Sequence, residues 1–168
     1  MVHLILVRHA EAVAASSAVA DDKRPLTKAG VEDAAATGLL LKGLGLPQPT
    51  ILCSPRQRAL ETARIIAARM EAREPYPMDS LLGGYEPDAV LSTLDGQSEP
   101  CFILVGHEPD MGRLLGRLLN PASQAAIPFT AAGFAWVELQ GVPMKEPGRL
   151  RLFGDPRRLG ATKPQGSS

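Results

Sequence analysis

Three short apolar runs, Val2–Val7, Thr50–Cys53 and Cys101–Val105, each end abruptly in a polar loop. A run without polar alternation has no face to give to water. It therefore reads as a strand covered on both sides, the habit of a parallel sheet. Parallel neighbours cannot be joined by a tight turn and need a crossover, usually a helix. The intervening segments supply one. Thr27 to Lys42 is rich in Ala, with Thr27 placed to cap it and Gly43 and Gly45 to stop it. Pro55 fits the first turn of a second helix running to about Arg73, and Glu74-Pro75-Tyr76-Pro77 breaks it. A brief extended piece and the turn Gly83-Gly84 lead to a helix near Pro87 to Leu94, closed by the turn Asp95-Gly96. Pro109 to Leu119 reads as helix, ended by Asn120-Pro121. Gly133 to Leu139 and Leu150 to Phe153 read as strands that pair antiparallel at a sheet edge. This alternation predicts the α/β class: a three-layer α/β/α sandwich, with a mostly parallel central sheet and helices on both faces.

With 168 residues, 45% of them apolar, the chain has material for one sizeable core. A single domain is expected over residues 1–153. Residues 154–168, rich in Pro, Gly, Arg and Ser, are expected to be a poorly ordered tail. The 18 basic and 18 acidic residues cancel, so no global field suits nucleic acid, and any pull on an anion must be local. Cys53 and Cys101 form no CxxC pair and read as buried thiols of a reducing compartment. Val2–Val7 is too short for a leader, and no apolar run approaches the ~20 residues of a membrane span. A cytoplasmic location without a membrane partner is the default expectation.

Chemistry concentrates after the strands. Arg8-His9 follows the first, Ser54-Pro55-Arg56-Gln57-Arg58 the second, and Gly106-His107-Glu108-Pro109 the third. In an open parallel sheet, ligands bind beyond the C-terminal ends of the strands. Parallel strands would gather His9, His107, Arg8 and Arg58 there, with the N-terminal amides of the following helices. Imidazoles and guanidiniums together suit a dianion. Phosphoryl transfer asks for little beyond positioning and charge neutralisation. A neutral imidazole is a good nucleophile toward phosphorus, and nearby cations would keep it unprotonated.

At these residues the chain resembles the histidine phosphatase superfamily, which includes phosphoglycerate mutases and acid phosphatases. Leu6-Val7-Arg8-His9-Ala10-Glu11-Ala12 resembles its Arg-His signature. Arg24-Pro25-Leu26-Thr27-Lys28-Ala29-Gly30, Ser54 to Ala63, and Val105-Gly106-His107-Glu108-Pro109 resemble its later blocks, in order. The short spacing between blocks, and Leu82-Gly83-Gly84 before a helix, are similar to the SixA-type phosphohistidine phosphatases. The resemblance implies a phosphoglycerate mutase-like fold and a metal-independent hydrolase with no cofactor. It implies that His9 becomes phosphohistidine, and that Arg8, Arg24 and Arg58 clamp the phosphoryl oxygens. His107 would donate to the same group, giving a catalytic set of His9, Arg8, Arg58 and His107. The implied partner is a histidine-phosphorylated protein of a phosphorelay or phosphotransfer system.

Many superfamily members add a carboxylate that protonates an ester leaving group, after the third block. Here that stretch offers Asp79, Glu86 and Asp88, none in a clear motif. An imidazole leaving group needs less acid help than an alkoxide, so the lack fits a phosphohistidine substrate; it equally fits a weakened enzyme. A broad small-molecule phosphomonoesterase is the alternative, and a decayed phosphate-binding module is the alternative outside catalysis. Ser54 lacks the Gly-x-Ser-x-Gly elbow of a serine nucleophile and reads as a loop residue near the phosphate. Glu11 and Glu108 flank the histidines, but arginines in the same place oppose a divalent cation. His3 reads as structural or surface, Arg56 as exposed or facing the substrate, and the arginines between 149 and 158 as a solvated surface.

Overall fold

A computed structural model describes residues 1–160. The elements in chain order are β1 (Val2–Arg8), α1 (Lys28–Gly43), β2 (Thr50–Cys53), α2 (Gln57–Met70), β3 (Tyr76–Pro77), α3 (Pro87–Ser92), β4 (Cys101–Gly106), α4 (Asp110–Leu119), β5 (Phe134–Leu139) and β6 (Arg149–Gly154). Single 3₁₀ turns lie at Asp21–Lys23 and Asp79–Leu81. Among the described residues, no helix is long and apolar enough to cross a membrane.

The six strands form one mixed sheet in the order β3-β2-β4-β1-β5-β6. β3, β2, β4 and β1 run parallel, and β5 returns antiparallel between β1 and β6. The apolar runs are explained by burial on both faces. On one face Ile5, Val7, Ile51, Ile103 and Val105 pack with Leu41 of α1 and Ala59, Ala63 and Ile66 of α2. On the other, Leu4, Leu6, Phe102 and Leu104 pack with Val90 and Leu91 of α3 and Leu114, Leu115 and Leu118 of α4. The period-two alternation of a strand thus feeds two cores at once. The result is the α/β/α sandwich that the sequence pattern predicts.

Both ends of α2 differ from the sequence expectation. α2 begins at Gln57, not Pro55, with Arg56 extended at the N-cap, and it ends at Met70, where Glu71 turns left-handed at φ 57°. The stretch that breaks it then pairs with β2 as the edge strand β3. Pro77 is tolerated there because an edge position asks for no outward N–H. Gly154 ends β6, and Arg157 Nε donates to Asp33 on α1 at 2.8 Å. The rest of the expected tail, 161–168, lies outside the described residues. His3 on β1 accepts from Trp136 Nε1 of β5 at 3.2 Å, a contact between neighbouring strands.

Candidate active site

The parallel register brings the ends of β1, β2 and β4 level. Arg8 is opposite Gly106, and Cys53 is opposite Val105. The ladder continues one step further: His9 N–H donates to Gly106 C=O (2.9 Å) and Ser54 N–H to Val105 C=O (3.0 Å). His9, Ser54 and His107 therefore leave the sheet side by side. Beyond them opens a cavity of about 600 Å³, lined by Arg8, His9, Arg24, Arg56, Arg58 and His107, with Glu11, Gly83, Gly84, Glu108, Asp110 and Ala131 also in its wall.

His9 and His107 face one another, their ring centroids 5.1 Å apart. His9 Nδ1 lies 2.7 Å from the Ala10 carbonyl, which can only accept, so Nδ1 carries the ring proton. Nε2 keeps its lone pair free. Burial pushes the His9 pKa down to about 4; the Ala10 carbonyl, next in size, pulls it up, and the charges of Arg58, Arg8 and Arg24 lower it further. At neutral pH the ring is uncharged. Its backbone is fixed from behind, since Ala10 N–H donates to Thr62 Oγ1 (3.0 Å) and that hydroxyl donates to Arg58 C=O (2.7 Å).

His107 is 6% exposed, and its Nε2 lies 2.8 Å from Ser54 Oγ, which is fully buried. Ser54 Oγ already accepts from Arg56 N–H (3.3 Å) and has one hydrogen to give. Giving it to Nε2 leaves the ring proton on Nδ1. Burial, then the neighbouring His9 and the arginines, push the His107 pKa down to about 3.

The guanidiniums are held from outside the cavity. Arg8 Nη1 donates to Phe129 C=O (2.9 Å), on the loop that enters β5. Arg58, 4% exposed, donates through Nη1 to Asp21 C=O (2.7 Å). Arg24 Nε and Arg56 Nη1 reach the Asp21 carboxylate at 3.0 and 3.1 Å. Among the described residues, five buried side-chain polar atoms have no hydrogen-bond partner, and three of them are nitrogens of this site: the N–H donors Arg8 Nε and Arg58 Nε, and His107 Nδ1. Orphaned buried donors are rare and costly, so a cluster of them marks a place built for acceptor oxygens.

Residues 4–82 match the model of the histidine phosphatase superfamily, branch 1. An uncharacterised protein of Picosynechococcus is 33% identical over 112 residues, which span 65% of this chain and 68% of that one. The chain belongs to the histidine phosphatase superfamily. Its fold superposes on the protein histidine phosphatase SixA complexed with tungstate with a TM-score of 0.80 at 22% identity, covering 94% of this chain and 99% of the other. A protein of Nakamurella multipartitia, provisionally described as the phosphohistidine phosphatase SixA, gives 0.73 at 27% identity, covering 92% and 96%. Superfamily membership and the SixA-like neighbours support phosphatase activity.

In this histidine phosphatase, all five residues singled out by sequence, Arg8, His9, Arg24, Arg58 and His107, line the one cavity. The three acids weighed as proton donors do not. Glu86 is bound to Arg113 (2.9 Å), Asp88 to Arg117 (3.0 Å), and Asp79 opens a 3₁₀ turn away from the cavity wall. Three other carboxyls do line it, Glu11, Glu108 and Asp110; burial pushes up the pKa of Glu108, which accepts from Phe129 N–H (3.3 Å). Sequence reasoning considered Glu108 only as a metal ligand, and missed Asp21 and Phe129 altogether. Phe129 acts through its carbonyl, for which no side-chain signal exists. Ser54 was placed near the phosphate, but its bond to His107 required the strand register.

Proposed function

We propose that the chain removes a phosphoryl group from phosphohistidine on a protein, by way of a covalent phosphohistidine at His9. The observation that carries this reading is the neutral His9 ring, with Nε2 unbound, set among the unpartnered donors of Arg8, Arg58 and His107. Nε2 attacks phosphorus with its lone pair as the P–N bond of the substrate imidazole breaks. The leaving imidazole takes that electron pair and picks up a proton. Arg8, Arg24 and Arg58 hold the phosphoryl oxygens, and His107 Nδ1–H donates to them as charge moves in the transition state. Water then attacks phosphorus, the P–Nε2 bond breaks, and inorganic phosphate leaves with the water's proton. No metal is required, because the guanidiniums supply the positive charge a cation would bring, and they would repel one.

A phosphohistidine protein is favoured as substrate for two reasons. The acids placed for an ester leaving group lie off the cavity, and the fold is like that of the protein histidine phosphatase SixA. The free, buried thiols of Cys53 and Cys101 fit a reducing, cytoplasmic setting. One observation favours the second reading, a small-molecule phosphomonoesterase: Glu108 is a half-buried carboxyl with a raised pKa in the cavity wall, able to hold a proton for an alkoxide. A panel of histidine-phosphorylated protein, phosphoramidate and sugar phosphates, assayed with and without chelator, tests the choice. Faster turnover of the phosphoramidates, unaffected by chelator and by Glu108→Gln, is expected. Preference for sugar phosphates, lost in Glu108→Gln, would select the second reading.

A further inference from the structure

The segment between β1 and α1 brings an aspartate into a cluster of cations. Asp21 opens the 3₁₀ turn Asp21–Lys23, and three of the four arginines that line the cavity meet its carboxylate. Arg24 Nε lies 3.0 Å away, Arg56 Nη1 3.1 Å and Arg58 Nη2 3.5 Å. The carboxylate is 53% exposed to solvent and lies behind these arginines, outside the cavity lining. Its charge reaches the His107 ring, where it opposes the lowering of the pKa by burial.

Asp21 is held in place from several sides. Its carbonyl accepts from the buried Arg58 (2.7 Å). Arg24 Nη1 also bonds Val13 C=O (3.3 Å), and Val13 N–H bonds Pro25 C=O (2.8 Å). A phosphoryl group can be met by the unpartnered Nε of Arg8 and Arg58 without displacing Asp21. With Arg8, Arg24 and Arg58 on the phosphoryl group, the cavity arginine left to receive a second anion is Arg56, which already faces the Asp21 carboxylate at 3.1 Å.

We propose that Asp21 is a specificity-determining residue: a fixed negative charge set against three arginines of the cavity wall, which selects against phosphorylated compounds whose leaving group carries a second anion and favours leaving groups that are neutral or cationic. The proposal rests on the reading that this cavity binds a phosphoryl group. It narrows the substrate class to phosphoryl groups on uncharged or basic carriers, such as an imidazole. A like charge 6–8 Å away in a partly solvated site changes affinity by about three- to tenfold.

Glycerol 3-phosphate and 3-phosphoglycerate present the same phosphoryl ester and differ only in a hydroxymethyl or a carboxylate group. Their dissociation constants, measured by calorimetry at low ionic strength on the wild type and Asp21→Asn, test the proposal without requiring turnover. The wild type should bind glycerol 3-phosphate more tightly, and Asp21→Asn should narrow the ratio by about three- to tenfold. Added salt should narrow the wild-type ratio in the same direction. Loss of affinity for both ligands alike, with the ratio unchanged, would reduce Asp21 to a structural prop and overturn the proposal. Equal wild-type affinities, or no binding of either ester, would overturn it too. Phosphoramidate turnover is assayed in parallel. Its absence alongside the expected shift in ratio would sink the proposed reaction and leave the role of Asp21 standing.

Discussion

Ser54→Ala separates the orientation of His107 from its presence. Ser54 is fully buried, and its hydroxyl is the one group bonded to His107 Nε2, at 2.8 Å. Deleting the oxygen leaves a ring nitrogen unpaired in a buried place and takes an acceptor from Arg56 N–H. A buried group left without its partner costs about 1–3 kcal/mol, so denaturant midpoints should fall by that equivalent. The catalytic effect has a different origin. Without Ser54 the ring is free to carry its proton on either nitrogen and to turn, so the Nδ1–H donor is no longer fixed toward the phosphoryl group. Losing part of one hydrogen bond made to the transition state, about 1–2 kcal/mol, lowers kcat/KM about five- to thirtyfold. Phosphoramidate hydrolysis at 25 °C, where the variant is still folded, gives the second number, and urea unfolding gives the first. A variant that loses stability but keeps full kcat/KM would refute the argument that Ser54 sets the His107 tautomer.

Two further outcomes follow from the same geometry. His9 and His107 have native pKa values pushed down to about 4 and 3, whereas an unfolded histidine titrates near 6.5. Between pH 6.5 and 4 the unfolded chain takes up protons that the native state refuses, so stability should fall with acidification by up to about 1.4 kcal/mol per pH unit for each ring. Urea titrations at successive pH values measure this, and a flat profile would mean that the rings charge within the fold. Gly30→Ala should destabilise the protein by about 1–3 kcal/mol, because a Cβ at this position would overlap the Glu11 carbonyl at 2.1 Å. That carbonyl accepts from Thr27 N–H at the start of α1, so unchanged thermal stability would contradict the close approach.

The parts of this molecule legible in the sequence were those with one-dimensional signatures. The runs Val2–Val7 and Cys101–Val105 carry no polar residue after His3, and only a strand packed on both faces accommodates that. Given parallel strands, the convergence of His9, Arg58 and His107 follows from topology alone. Arg24 was accessible only through resemblance to a family block, since residues 11–24 have no periodicity to place them. For the same reason Asp21 was invisible: its importance lies in meeting Arg56 and Arg58, 35 and 37 residues later. Arg56 reads from sequence as exposed or facing the substrate, because its partner Asp21 lies 35 residues away. Asp79, Glu86 and Asp88 lie in the right stretch, but Glu86 and Asp88 are taken by Arg113 and Arg117 on α4. Helix α2 was started too early because Pro55 is a good first-turn residue, while Arg56 holds an extended conformation with Ser54 Oγ on its N–H.

The central claim is that a neutral His9, through its free Nε2, accepts the phosphoryl group itself. The most direct measurement is rapid quench of the enzyme with labelled phosphoramidate, followed by localisation of acid-labile, base-stable phosphate by peptide mass spectrometry. One phosphoryl group per active chain should appear on His9, before or together with the release of inorganic phosphate, and His9→Ala should show neither label nor turnover. Turnover without any adduct on His9, or turnover that survives His9→Ala, would contradict the account.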